Sequence, residues 1–121
     1  MDDPIKLSLR IRCGDEFAMG PGKAAVLEAV ARCGSLSAAG RDLGMSYRRL
    51  WLLVDTINRC WTQPLIETAR GGGGGGGAVL TPLGREVLDG YRAMERRAAE
   101  AARSGDYDRL VAKLRRSPLK P

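Results

Sequence analysis

The stretch SLSAAGRDLGMSYRRLWLLVDTINR, residues 35–59, decides the fold. Leu36, Ala39, Gly40 and Leu43 fall on one face of a short helix. Gly44 interrupts that helix, and a glycine just past a helix end can take the left-handed conformation that residues with a Cβ avoid. Ser46 follows, and its hydroxyl can accept from the orphan amides of a second helix. Leu50, Leu53, Val54 and Ile57 give that second helix a buried stripe at spacings of three and four. Gly40 supplies a small residue four positions before the turn glycine, where two crossing helices approach closely. Two helices joined in this way make a helix-turn-helix, whose second helix can enter a DNA major groove.

Upstream, Ile5, Leu7, Leu9 and Ile11 alternate with Lys6, Ser8, Arg10 and Arg12, which predicts a half-buried strand ended by Cys13-Gly14-Asp15. Phe17 and Met19 are expected to reach the core. Gly20-Pro21-Gly22 breaks the chain before a helix over about 23–32, with Val26, Leu27, Val30 and Ala31 as its core face and Gly34 as its stop.

Downstream, the second helix of the motif is expected to reach Trp61, because Pro64 forbids a long continuation. Leu65 to Arg70 reads as a strand, Gly71 to Gly77 as a tip, and Ala78-Val79-Leu80 as the returning strand. Such a hairpin beside a helix-turn-helix is a wing. The glycine run lacks the GK[ST] ending of a nucleotide P-loop, which leaves two readings. It is a flexible tether, or bare backbone that can approach a phosphate chain closely.

Thr81-Pro82 starts a helix, with a hydroxyl at the N-cap and proline at the first helical position. Leu83, Val87, Tyr91, Met94, Ala98 and Ala101 form a long apolar seam along it, close to a heptad pattern. Its first turns are expected to pack on their own domain. Its later part, at roughly 30 Å of helix, outruns a small winged domain and is expected to pack on a second copy. Ser104-Gly105 ends this helix. Asp106 is the expected cap of a last short one carrying Tyr107, Leu110, Val111 and Leu114, before a basic end.

The fold class is therefore mainly α with a small β wing: a winged helix-turn-helix with a long C-terminal dimerisation helix. The expected organisation is a DNA-binding domain over 1–81, with the motif at about 35–61 and the wing at about 65–80. A long helix over 82–104 follows, then a short helix and tail over 105–121.

The formal net charge of +6 suggests a polyanionic partner, and its distribution sharpens this. Residues 1–34 hold five basic and five acidic side chains, residues 35–70 five and three, and residues 85–121 ten and six. The excess lies in the proposed reading unit and the C-terminal third. Cys13, Cys33 and Cys60 are too widely spaced for a disulfide framework or a CxxC metal site, and Cys33 and Cys60 are expected as small buried hydrophobes. There is no histidine, which removes the commonest general base and nitrogen ligand. No catalytic site, metal or cofactor is expected. No apolar run approaches the roughly 20 residues of a membrane span, and the start MDDPIKLSLR lacks a secretory pattern, so a cytoplasmic protein is the expectation.

Two separated segments, GSLSAAGRDLGMSYRRLWLLVDTIN and GGGGGGGAVLTPLGREVL, resemble the N-terminal DNA-binding domain of the ModE-type molybdate-responsive regulators. That family shares a winged helix-turn-helix with the LysR family. In its pattern a G-S-[IL]-[ST]-A-A segment opens the motif and M-S-Y-[RK] starts the recognition helix. A tryptophan stands four after the tyrosine, and a glycine-rich wing precedes L-T-P-x-G. Gly34 to Ala39, Met45 to Arg48, Trp51, the glycine run and Leu80 to Gly84 match, and the resemblance covers about residues 5–100. ModE-type regulators also carry C-terminal modules that bind the oxyanion, whereas this chain has room after Arg103 for one short helix. The resemblance thus implies DNA binding without an evident effector domain. The effector is left unknown, and molybdate enters only through the resemblance.

The expected DNA-binding residues are Ser46, Tyr47, Arg48 and Arg49 on the first turns of the recognition helix, with Leu52 placed to meet a thymine methyl. Arg48 and Arg49 can pair with guanine or hold phosphates. Arg70 at the wing base is a candidate for the backbone or the minor groove, and Arg41 and Thr81 are weaker phosphate candidates. Trp51 is read as core or dimer packing rather than as a DNA contact. The partners expected are double-stranded DNA and a second copy of the chain. The competing class is a winged-helix adaptor that recruits a protein through its long helix and has only nonspecific DNA affinity.

Overall fold

Three local signals set the frame, and all three are capping hydroxyls. In the computed structural model, which describes residues 3–69 and 76–121, Ser35, Ser46 and Thr81 each accept from a backbone amide three residues on. They start helices α2 (Leu36–Leu43), α3 (Tyr47–Cys60) and α4 (Pro82–Ala102). Each cap satisfies a donor that the helix itself leaves orphaned. Helix α1 (Pro21–Cys33) precedes them, and α5 (Gly105–Val111) follows.

Leu27, Val26 and Val30 of α1, Leu36 and Ala39 of α2, and Leu50, Val54 and Ile57 of α3 form one core with Leu88 and Tyr91 of α4. Ala31, expected on the core face of α1, is exposed, and Ala24 and Ala29 are buried in its place. The buried stripe of α1 runs through 24, 26, 27, 29 and 30, which leaves position 31 on the solvent edge.

The alternating segment 5–12 is mostly not a strand. Strand β1 is confined to Ile11–Cys13 and pairs antiparallel with β2 (Glu16–Met19) around a turn at Gly14, where φ is +58°. The hairpin is short because β2 offers only four residues of edge, and its register shifts between Ile11 and Arg12. The alternation records burial only in its second half: Leu9 and Ile11 pack against the core, without strand pairing at Leu9, whereas Leu7 is exposed. Met19 is fully buried, whereas Phe17 stays 42% exposed under the guanidinium of Arg10, 5.3 Å from its ring centre.

The wing is the antiparallel pair β3 (Ile66–Thr68) and β4 (Ala78–Leu80), in the register Ile66 to Leu80 and Thr68 to Ala78. The amide of Ala78 donates to the carbonyl of Gly34 at 2.8 Å, which fastens the wing to the end of α1. Arg70 and the glycines 71–75 lie outside the described residues.

Helix α4 enters the core at Gly84, Leu88 and Tyr91. A Cβ at Gly84 would stand 2.1 Å from the carbonyl oxygen of Leu65, so α4 crosses the wing base at a separation only glycine permits. Tyr91 is 2% exposed and donates its hydroxyl to Leu9 at 2.7 Å. Arg92 forms a two-point pair with Glu28 of α1 at 2.5 and 3.1 Å and also reaches Glu95 at 2.7 Å. The last short helix is led by Ser104 rather than by Asp106, which sits inside its first turn. Asp3 ties the N-terminal segment to this region through Arg103 and the hydroxyl of Tyr107.

Candidate nucleic-acid interface

The geometry of the candidate site follows from the turn between α2 and α3. Gly44 lies at φ +68°, and its amide closes on Arg41 and Gly40. The amide of Met45 donates to Gly40 at 2.8 Å. A Cβ at Gly40 would lie 3.1 Å from the Met45 carbonyl, so the small residue keeps the turn tight. Ser46, in an extended conformation, then accepts from Arg49 at 3.1 Å and fixes the direction in which α3 leaves.

That direction buries Leu50, Val54 and Ile57 and leaves Ser46, Tyr47, Arg48, Arg49 and Leu52 exposed, as expected. Trp51, expected in core or dimer packing, is not in this chain's core: it is 48% exposed, one turn beyond Tyr47. Positions 50, 54 and 57 already fill the inward stripe, and 51 falls outside it, roughly a quarter-turn around the helix from 50 on the flank it shares with 47 and 48. Tyr47, Arg48 and Trp51 line one shallow hollow. Tyr47 at 56% and Leu52 at 50% exposure complete an apolar, partly aromatic surface beside two arginines. Exposed large side chains concentrated on one basic helix face mark an interaction surface.

The charges divide the same way. Arg32 pairs with Asp42, Arg59 with Asp55, and Arg92 with Glu28 and Glu95. Hydrogen bonding to Asp55 raises the pKa of Arg59, so the C-terminal end of α3 is neutralised internally. Arg41, Arg48 and Arg49 enter no ion pair among the described residues, and the first turn of α3 contains no acidic residue. The cationic end is the one that leads out of the turn.

Thr81 sits differently from a phosphate ligand. It is 9% exposed, donates to Pro64 at 2.8 Å and accepts from Gly84 at 2.9 Å, so its hydroxyl is engaged in capping α4. Along the expected dimer seam, Leu83 and Val87 are half-buried against the chain's own core and Tyr91 is wholly within it. Met94, 46% exposed, Ala98, half-buried, and Ala101, exposed, continue beyond the core.

Asn58 was not singled out by sequence reasoning. Its side chain accepts from the amides of Leu65 and Ile66 at 2.9 and 3.1 Å and donates to the carbonyl of Ile66 at 2.9 Å. The signal for it was a polar residue four after Val54, at the border of the buried stripe. Trp61 likewise donates its indole N–H to Ala18 at 3.2 Å, anchoring the end of α3 to β2. The recognition helix is thus pinned at both ends, by a cap at Ser46 and by side chains at Asn58 and Trp61.

A capped helix-turn-helix with a hairpin bracketed against its second helix defines a winged helix-turn-helix protein. Residues 23–85 match the family described as bacterial regulatory helix-turn-helix protein, lysR family, and the chain belongs to that family. Among curated proteins it is similar to the molybdenum-pterin-binding protein MopB of Rhodobacter capsulatus, at 42% identity over 77 residues, 64% of this chain and 28% of that protein. It is similar to MopA of the same organism at 33% identity over 94 residues, 78% of this chain and 36% of MopA. It also matches the DNA-binding transcriptional dual regulator ModE of Escherichia coli strain K12 at 34% identity over 91 residues, 75% of this chain and 34% of ModE. The chain spans about a third of the length of these relatives. Among the described residues, no helix is long and apolar enough to cross a membrane.

Proposed function

We propose that this chain is the DNA-binding unit of a transcriptional regulator and binds double-stranded operator DNA as a homodimer. The observation that carries this reading is the start of α3, where Arg48 and Arg49 enter no ion pair among the described residues and stand beside exposed Tyr47, Trp51 and Leu52. In a major groove, arginine pairs with O6 and N7 of guanine, and apolar side chains meet thymine methyls. Ser46 and Tyr47 offer hydroxyls to phosphates or base edges, and Arg41 faces the backbone. Arg70 takes the same part from the wing base.

Met94, Ala98 and Ala101 carry the dimer contact in this reading, since the earlier seam residues already serve the core. Two copies would present their α3 helices to half-sites about one helical turn apart. The names of the relatives that bind molybdenum-pterin direct the search for target genes toward molybdenum.

The test is selection of bound sequences from a pool of random duplexes, with the mass of the complex measured by sedimentation. A two-fold symmetric winner bound by two copies is expected. Absence of any enriched sequence would move the protein to the adaptor class, in which a protein partner is recruited and DNA is incidental.

A further inference from the structure

Beside the recognition helix lies a second cationic feature, built from parts of the chain outside the helix-turn-helix. A cavity of about 540 Å³ opens between the N-terminal segment, the start of α1 and α3. Arg10, Lys23 and Arg49 all line it, and among the described residues no acidic side chain does. None of the three enters an ion pair among the described residues. Arg10 is held in place, with its guanidinium stacked over Phe17 and its Cγ lying 3.4 Å from where a Cβ at Gly20 would be. Gly20, Pro21 and Gly22 also line it and add little bulk, and the first turn of α1 carries neither a side-chain cap nor an acidic residue.

Three cationic side chains line one cavity, and no ion pair among the described residues offsets their charge. Oxygen anions do. We propose that this cavity seats one phosphodiester of duplex DNA, with Arg10 and Lys23 as phosphate ligands alongside Arg49. The inference rests on the DNA-binding reading above. It favours a DNA phosphate over a free anion because Arg49 is shared between the cavity and the exposed first turns of α3, so DNA reached by one is within reach of the other. It draws a basic contribution from residues 1–34, which are neutral in sum: none of their described acidic members lines this cavity. The seat fixes how deeply and at what angle α3 enters the groove and carries no sequence information itself.

The experiment measures affinity for a duplex of scrambled sequence across a salt series, so it needs no operator. Arg10→Gln/Lys23→Gln is expected to lower the slope of log affinity against log salt by about one, and affinity at moderate salt by roughly tenfold. Lys23→Gln alone, which leaves the Arg10 stack on Phe17 intact, should show part of the same change and a normal melting temperature. Arg96→Gln/Arg97→Gln, which removes two exposed α4 charges absent from the cavity, should leave the slope unchanged. An unaltered slope in the cavity variants, or an equal drop in the α4 control, overturns the seat while wild-type DNA binding stands. If inorganic phosphate stabilises the wild type at matched ionic strength, and the double variant loses that effect without a change in duplex slope, the cavity belongs to a free oxyanion and the DNA assignment fails. A wild type that binds no duplex removes both this seat and the regulator reading.

Discussion

Asn58 closes its carboxamide on both polar groups of Ile66, donating to the carbonyl at 2.9 Å and accepting from the amide at 3.1 Å. With the Leu65 amide as a third partner, one side chain of the recognition helix holds the first strand of the wing. The two parts of the candidate interface therefore have a fixed mutual geometry. Asn58→Ala should strand partly buried backbone groups and cost about 1–3 kcal/mol of stability. Denaturant titration checks the magnitude, and hydrogen exchange at Leu65 and Ile66 checks the location. Unchanged protection there would mean that the bracket does not position the wing.

Glycines 84 and 90 share α4 but should respond oppositely to alanine. A Cβ at Gly84 meets the Leu65 carbonyl at 2.1 Å, whereas nothing lies within 4 Å at Gly90. Alanine favours a helix interior by roughly 1 kcal/mol over glycine. At Gly90 that gain is expected in full, as a higher midpoint of denaturation. At Gly84 backbone overlap outweighs it, with a net loss of at least about 1–3 kcal/mol. Equal stability of the two variants would contradict the close crossing of α4 over the wing.

The Glu28–Arg92 pair joins α1 to α4 and predicts a pH dependence. The hydrogen bond from Arg92 holds the carboxyl of Glu28 below its ordinary value of 4.5. A carboxyl lowered on folding adds stability that is fully present above its unfolded value and is lost as pH falls through the folded one. Both side chains are partly exposed, which limits the effect to about 0.5–1 kcal/mol. Wild type should lose that much more stability than Glu28→Gln between pH 6 and pH 3. Parallel pH profiles for the two proteins would remove the pair from the stability account.

Met94 is the largest apolar side chain on the part of the seam left outside the core. Met94→Glu should raise the dimer dissociation constant at least tenfold in sedimentation equilibrium, with an unchanged helical spectrum. Tyr91→Phe should instead cost about 1 kcal/mol of monomer stability, through loss of its hydrogen bond to Leu9. A dimer indifferent to Met94→Glu would place the contact elsewhere.

The helix starts were legible in the sequence because their causes are local. Ser46 and Thr81 cap within three residues of themselves, and Gly34 and Gly44 need only a left-handed backbone. What was not legible depends on distant partners. The alternation at 5–12 reports inward side chains at Leu9 and Ile11 but not at Leu7, and β2 offers only four residues of edge for pairing. Tyr91 fits a dimer heptad equally well until Leu9, 82 positions away, takes its hydroxyl. Trp51 reads as core or dimer packing, and its exposure in the single chain follows from Leu50, Val54 and Ile57 having filled the inward face. The Asn58 bracket and the cavity at Arg10, Lys23 and Arg49 join segments that no local pattern connects.

The central claim is that the first turns of α3 read DNA sequence. Its most direct measurement is the ratio of affinities for the selected operator and a scrambled duplex at physiological salt, for wild type, Arg48→Ala and Arg49→Ala. The account predicts a wild-type ratio on the order of a thousand or more. At least one of the two variants should lower that ratio by roughly 1–3 kcal/mol, which identifies the arginine that contacts a base. A wild-type ratio near one, or two variants that weaken operator and scrambled DNA equally, would contradict it.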